Sequence, residues 1–316
     1  MADISKFPFI KWTGSKRKQA PYIVDQFPKN INTYYEPFLG GGSVLHELLN
    51  RIYEGEYTVK KIVCSDINKD LIDIFNIFKN KDTRKKLYDY YTKLHNELLR
   101  RADVPNTPDI KDQVKKCQTL YYEMRDKYNK MDKDNPERPY IFYWITRTSF
   151  NGLIRYNPKT GYFNSPFHVA GRFGIRPEEL EKVFDTWGNV IDNVDIEFVC
   201  KPYNEVIKDA TKGDLIYMDP PYEKSGGMYF CNGFDTNLFW NILMTMNMRE
   251  VNWLLSYDGF SGEENNTANV PKDLYKRHEY VNSGHSSFKK LKSKSCGTEN
   301  AAVVKDSLYL NYEKNE

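Results

Sequence analysis

The tetrapeptide Asp219-Pro220-Pro221-Tyr222 directly follows the apolar run DLIYM at 214–218. Two consecutive prolines fix the backbone and remove two N–H donors. What remains is rich in acceptors: the Asp219 carboxylate and exposed carbonyls, followed by an aromatic ring. Such a group suits an exocyclic amine held by its N–H hydrogens, its ring stacked on Tyr222. The N6 nitrogen of adenine is not basic, because its lone pair is delocalised into the ring. Acceptors on its hydrogens favour the pyramidal nitrogen that can attack a methyl sulfonium, so the transition state is bound better than the ground state. The plain alternative is a strand-ending Asp before a rigid turn, and four such residues at a strand end argue against it.

A second group is Glu36-Pro37-Phe38-Leu39-Gly40-Gly41-Gly42-Ser43. Glycines after a strand let backbone approach a ligand closely, and the helix that follows offers free N–H groups. A tight turn alone would read the same. Asp66, at the end of the next strand, sharpens the reading, since its carboxylate can accept from a ribose diol. No Lys-[Ser/Thr] follows the glycines, which disfavours a P-loop. The third spaced glycine of a dinucleotide fingerprint is also missing, so a nucleoside without pyrophosphate fits better than NAD. A third group, Lys11-Trp12-Thr13-Gly14-Ser15-Lys16, could close over a cofactor or lie as a solvated arm.

The elements that must position these groups follow from periodicity. Thr33 to Phe38 predicts a short buried strand, Ser43 to Asn50 a helix with Ser43 as its N-cap, and Lys61 to Ser65 a second strand. Residues 68–78 repeat apolar residues at helical spacing. Residues 80–131 are long, charged and helical in period, broken by Pro105 and Pro108. Tyr140 to Phe150 is a more buried segment. Leu153 to Asn157 and Tyr162 to Asn164, joined by Pro158-Lys159-Thr160-Gly161, predict a β-hairpin. The α/β alternation then resumes: a helix from Pro177 to Val190, strands at 196–200 and 214–218, a helix at 238–248, and strands at 253–257 and 307–312. The expected fold is α/β: a doubly wound, Rossmann-like domain formed by 1–75 and 175–316, with a helical and β-hairpin region, 76–174, inserted in it.

Composition bounds the rest. A chain of 316 residues is long enough for a large buried core. Its 46 Lys and Arg against 43 Asp and Glu leave a net charge of +3, which by itself points to no acidic partner. Charge is uneven, however. Residues 272–294 hold seven Lys or Arg against two acids, and 84–101 are also rich in basic residues. Either is a solvated face or a phosphate contact. Aromatic residues make up 15% of the chain and serve equally as core and as stacking surface. No apolar run approaches the roughly 20 residues that span a bilayer, so no membrane association is expected. The start is too short and polar for a secretory signal. Five scattered cysteines without a Cys-x-x-Cys predict a reduced, cytoplasmic protein with no metal site.

Taken in order, Lys11 to Lys16, Glu36 to Ser43, Ser65 to Asn68, Asn151 to Phe167 and Asp219 to Tyr222 resemble the Dam-type (D12 class, alpha group) DNA adenine-N6 methyltransferases. The resemblance covers almost the whole chain; only the helical insertion at 80–135 looks long for the family. It implies S-adenosylmethionine as methyl donor and double-stranded DNA as substrate, with the target base flipped out to expose its N6; 1–75 and 175–316 would then be an S-adenosylmethionine-dependent methyltransferase domain and 76–174 a target-recognition domain. By the resemblance Trp12 and Lys16 lie at the cofactor, Phe38 and Gly40 form its turn, and Asp66 holds its ribose. Tyr203 falls near its adenine, and Asp219 borders both cofactor and base. Asp219 and Pro220 accept from the target N6, and Tyr222 stacks on the base. The hairpin reads DNA through Arg155 on guanine, with Asn151, Asn164 and Lys11 as further contacts. GATC is the target the resemblance suggests. A monomer suffices, and the sequence leaves open whether a cognate restriction endonuclease is encoded separately. N4-cytosine methylation is the nearest alternative, although Ser is commoner there at the Asp219 position. A catalytically silent DNA-binding module is the other. C5-cytosine methylation needs a Pro-Cys nucleophile, which this chain lacks.

Overall fold

A computed structural model describes residues 8–102, 110–171, 173–221, 234–261, 264–265, 267, 269–285 and 303–314. They form two compact units, one from residues 8–15 and 68–193, the other from 16–67, 194–221 and 234–314. The insertion expected at 76–174 thus lies inside a larger helical unit. That unit also takes the N-terminal residues, α3 (Lys69–Lys79) and α7 (Pro177–Ile191). Packing explains this boundary: the Phe9 ring lies 4.9 Å from Phe75, 4.3 Å from Phe78 and 4.9 Å from Trp187, one aromatic cluster drawn from three chain regions.

The second unit is built on a sheet of order β3-β2-β1-β4-β5-β8-β7. The strands β1 (Asn30–Glu36), β2 (Thr58–Ser65), β3 (Ile196–Val199), β4 (Leu215–Met218) and β5 (Asn252–Ser261) run parallel. β7 (Arg277–His285) and β8 (Val303–Leu310) add antiparallel, and a two-residue β6 (Glu264–Asn265) folds back on β5. This is the doubly wound, Rossmann-like arrangement that the motifs predict. All four residues of β4 are buried, as a strand covered on both faces must be. Strand order reverses between β1 and β4, so the motif after Glu36 and the motif after Met218 leave the sheet side by side. A crevice at such a switch point is where doubly wound sheets bind ligands.

Several details depart from expectation. α2 (Ser43–Tyr53) is capped by Gly42, not Ser43: Gly42 adopts φ 65°, a left-handed conformation that glycine reaches without strain. β7 was hidden because RHEYVNSGH has no clean apolar alternation, as an edge strand with one wet face allows. The last strand begins four residues before 307 and ends at Leu310.

The helical unit holds α4 (Lys81–Ala102), α5 (Ile110–Lys130) and α6 (Arg138–Thr148) as well as α3 and α7. α6 is buried on every side, which accounts for the apolar run at 140–145. Arg138, 9% exposed, stacks on Tyr128 and pairs at 2.8 Å with Asp70 in the first turn of α3. Removing one partner of such a buried pair strands the other. The basic stretch 84–101 is largely neutralised in place: Arg84 pairs with Asp192, Lys85 with Asp89, and Arg100 and Arg101 with Glu97. This favours the solvated-face reading for those four cations.

The expected β-hairpin forms as a short ladder: Asn157 N donates to Tyr162 O at 2.8 Å and Asn164 N to Arg155 O at 2.9 Å, around the antiparallel bridge of Tyr156 with Phe163. A second bridge pairs Ser149 with Phe167. Between them a side chain continues the pairing: Ser165 Oγ accepts from Arg155 N at 3.1 Å and donates to Leu153 O at 2.6 Å. Pro158 and Pro166 can donate no ladder bond.

The pairing of β5 with β8 slips between Tyr257 and Phe260, so Asp258 and Gly259 together face Asp306. A Cβ on Gly259 would sit 2.1 Å from Lys305 O, a backbone atom with little room to retreat. Gly259→Ala is therefore expected to cost about 1–3 kcal/mol of stability by overpacking. Equilibrium denaturation would read this, and an unchanged midpoint would contradict the close approach.

Candidate functional site

In the sheet unit the candidate groups converge on the ends of β1, β2 and β4. The Asp66 carboxylate, just beyond β2, accepts a hydrogen bond from Gly40 N at 3.1 Å. Leu39 N donates to Ser65 O at 2.9 Å, so the glycine turn is tied at two points to the neighbouring strand. Gly40 has φ 48°, a left-handed conformation that admits its N–H to this bond. The structure thus brings Phe38, Gly40 and Asp66 together as expected.

Phe38 stacks on Tyr203 at 5.3 Å between ring centroids, and Phe234 and Phe239 complete an aromatic surface around Tyr203. The Tyr203 hydroxyl is buried and has no hydrogen-bond partner among the described residues. An unpaired buried donor is costly unless something else satisfies it. An aromatic face, an unsatisfied hydroxyl and a carboxylate on a glycine turn suit a purine nucleoside.

Lys16, 9% exposed, lies between two carboxylates: its Nζ is 3.1 Å from Asp219 Oδ1 and 3.0 Å from Asp306 Oδ2. Gln19 Nε2 donates to the same Asp306 oxygen at 2.8 Å. A buried ammonium needs such company, because burial without a counter-charge would cost more than its pairing returns. Pro220 is buried and, like Pro221, offers no N–H. Tyr222 lies outside the described residues.

Glu36 is a site residue for which sequence reading proposed no role. It is 2% exposed and accepts from the Tyr34 hydroxyl at 2.8 Å. Burial, with repulsion from Asp219, pushes its pKa up from 4.5 to about 8, so at neutral pH its carboxyl is largely protonated. Asp306 and Gln19 were missed as well: a lone acid in a late strand carries no spacing signal.

In the helical unit, Arg155 and Asn164 meet. Arg155 Nε donates to Asn164 Oδ1 at 2.7 Å and Nη2 donates to Asn164 O at 3.1 Å. One edge of an exposed guanidinium is thereby held, and the rest of the fork is left to face outward. Asn164 thus orients Arg155. Asn151 is exposed and adopts φ 51°, a left-handed conformation that Asn tolerates better than most residues. The stem of Lys11 passes over Gly152, where a Cβ would stand 3.0 Å from Lys11 Cβ. Lys11 therefore joins the Asn151–Arg155 segment across 140 residues of sequence, and burial beside Arg147 lowers its pKa. Trp12, expected at the cofactor, packs edge-on against Phe142 in this unit, at 6.4 Å.

Among the described residues there is no cluster of His, Cys, Asp and Glu that could hold a metal ion, and no helix is long and apolar enough to cross a membrane.

Comparison with known proteins bears on the same residues. A family model described as D12 class N6 adenine-specific DNA methyltransferase matches residues 12–282. The type II methyltransferase M.MjaIII of Methanocaldococcus jannaschii is 32% identical over 228 residues, 68% of this chain and 69% of that protein. A DNA adenine methylase of Escherichia coli K12 is 31% identical over 231 residues, 73% of this chain and 70% of that one. A solved rRNA methyltransferase, aviRa from Streptomyces viridochromogenes, covers 98% of this chain and 92% of its own at 8% identity, with a TM-score of 0.39. That likeness is too distant to bear on function.

The protonated Glu36 has a measurable consequence. The unfolded chain loses this proton near pH 4.5 and the folded chain near 8, so between those values the folded state holds more protons. Stability should fall as pH rises through that window, by at most about 1.4 kcal/mol per pH unit, and level off above it. Glu36→Gln keeps a neutral group that can accept from Tyr34 and should remove this component. Urea denaturation of both proteins from pH 5 to 8 should give diverging stabilities; parallel curves would mean that Glu36 is ionised in the fold.

Proposed function

The chain belongs to the D12 class N6 adenine-specific DNA methyltransferase family, and on that premise we propose that it methylates adenine N6 at a specific sequence in double-stranded DNA, using S-adenosylmethionine and a flipped target base. The observation that carries this reading is the Asp219-Pro220 acceptor pair at the end of β4, beside the glycine turn that follows β1.

Bound there, S-adenosylmethionine supplies an electrophilic methyl group on a sulfonium. Asp66, Gly40, Phe38 and Tyr203 are the groups that would hold it, and the aromatic surface with its unpaired Tyr203 hydroxyl fits a purine. Lys16 reaches the site through Asp219. Trp12 is the remaining cofactor assignment, carried by the family resemblance alone. Asp219 and the Pro220 carbonyl accept the two N6 hydrogens, drawing the lone pair out of conjugation and favouring the positive charge that grows on nitrogen. Tyr222 stacks on the base. The base must leave the helix first, because paired adenine cannot present N6 to groups recessed at a strand end.

Recognition falls to the segment from 151 to 164. Arg155, held by Asn164, presents a preset fork that suits guanine O6 and N7. Lys11 and Asn151 flank it as further DNA contacts. GATC is the target we favour, by family resemblance. We further propose a monomer acting in the cytoplasm, with the helical unit as target-recognition domain.

Purified protein should transfer labelled methyl from S-adenosylmethionine to N6 of adenine in duplex DNA. Asp219→Ala should abolish transfer and largely keep DNA binding; near-normal turnover in that variant would refute the mechanism. Methylation-sensitive sequencing of DNA from cells expressing the protein gives base and target together, and methylated cytosine N4 would establish the rival chemistry. Arg155→Ala should relax preference at one position by about 1–3 kcal/mol. A loss that is uniform across sequences would make it a phosphate contact.

A further inference from the structure

Lys16 is shared. Its ammonium is as close to Asp306 as to Asp219, and Asp306 is held from a second side by Gln19. The three charged groups come from distant parts of one unit: the segment before the short helix α1 (Ala20–Val24), the end of β4, and the middle of β8. Asp306 is 13% exposed and sits opposite the Asp258–Gly259 bulge, where the close approach of Gly259 to the β8 backbone sets how that strand lies. Bulges of this kind re-aim side chains beside functional sites.

From this arrangement we infer that Asp306 is a positioning residue for methyl transfer: by holding Lys16 from the far side, it sets both the orientation and the effective charge of the Asp219 carboxylate. The inference rests on the reading of Asp219 as the N6 acceptor. With Asp306 ionised, Lys16 and the two carboxylates sum to one negative charge. With Asp306 neutral the group sums to zero. A cation grows on N6 as the methyl group is transferred, so the difference is felt most in the transition state. Asp306 touches neither base nor cofactor in this account; it acts through Lys16. A plain structural role would weaken all steps together, whereas a role through Lys16 separates them.

The test is single-turnover methyl transfer by the full chain, with DNA affinity and thermal midpoint measured on the same samples. Asp306→Asn keeps the shape and still lets Gln19 donate, but removes the charge. It should slow the methyl-transfer step by about tenfold or more, with DNA affinity within about threefold of wild type; the thermal midpoint falls, because Lys16 loses one counter-charge, and the rate is read well below that midpoint. In a Lys16→Met background the same substitution should have little further effect, since the path to Asp219 is already cut. Gln19→Ala, which leaves every charge in place, should slow the step by a few-fold and serves if Asp306→Asn does not fold. A wild-type rate in Asp306→Asn would overturn the inference. So would an equal rate loss in both backgrounds, or a rate loss matched by lost DNA affinity. Failure of the wild-type protein to methylate adenine N6 would instead overturn the reading of Asp219 itself.

Discussion

A buried ammonium cannot stand alone, and in the sheet unit that requirement falls on Lys16. Its two carboxylates draw together the segment ahead of α1, the end of β4 and the middle of β8. The desolvation of one cation is thus offset by groups that would otherwise repel each other. The same neighbourhood explains Glu36. Burial above all, with Asp219 nearby, disfavours a further ionised carboxylate, so the proton stays on Glu36, whose carboxyl accepts from the Tyr34 hydroxyl.

The sheet supplies the frame that makes this set possible. Parallel strands buried on both faces end together, and the order reversal between β1 and β4 puts their following loops side by side. The glycine turn leaves β1 and is stitched to β2 through Asp66 and Ser65. The prolines leave β4 without donors to satisfy. An acceptor-rich corner and a nucleoside-sized aromatic surface therefore result from strand topology together with a few residues that only glycine or proline can replace. The antiparallel end of the sheet adds the bulge that places Asp306.

The helical unit solves a different problem. Its buried cations are spent internally: Arg138 closes α3 against α5 and α6, and Arg147 donates to the carbonyls of Pro8 and Phe9. Around 151–164 the outward groups are held in place. Arg155 is held by Asn164 and Asn151 is turned out by a left-handed backbone, while the Lys11 stem is seated over Gly152. A preset fork loses less entropy on binding than a free one, which favours discrimination over general attraction.

Much of this was legible in the sequence. The motifs at 36–43, 66 and 219–222 carry their own chemistry, since glycine, proline and carboxylate at strand ends leave few roles. Apolar periodicity placed β1, β2, β4, β5, α3 and α8 (Thr236–Met248) to within a few residues or overlapped them clearly. These are local properties: a helix or buried strand announces itself within one window of sequence. The departures are equally instructive. Gly42 displaced Ser43 as cap, and β7 was masked by its wet face. Asp306, Gln19 and the protonation of Glu36 were invisible, because each depends on which groups hundreds of residues apart share one small volume without water. The sequence by itself determined the chemistry available and the α/β frame. Only the tertiary structure decided which charges meet, because desolvation and pairing energies exist only once distant groups are buried together.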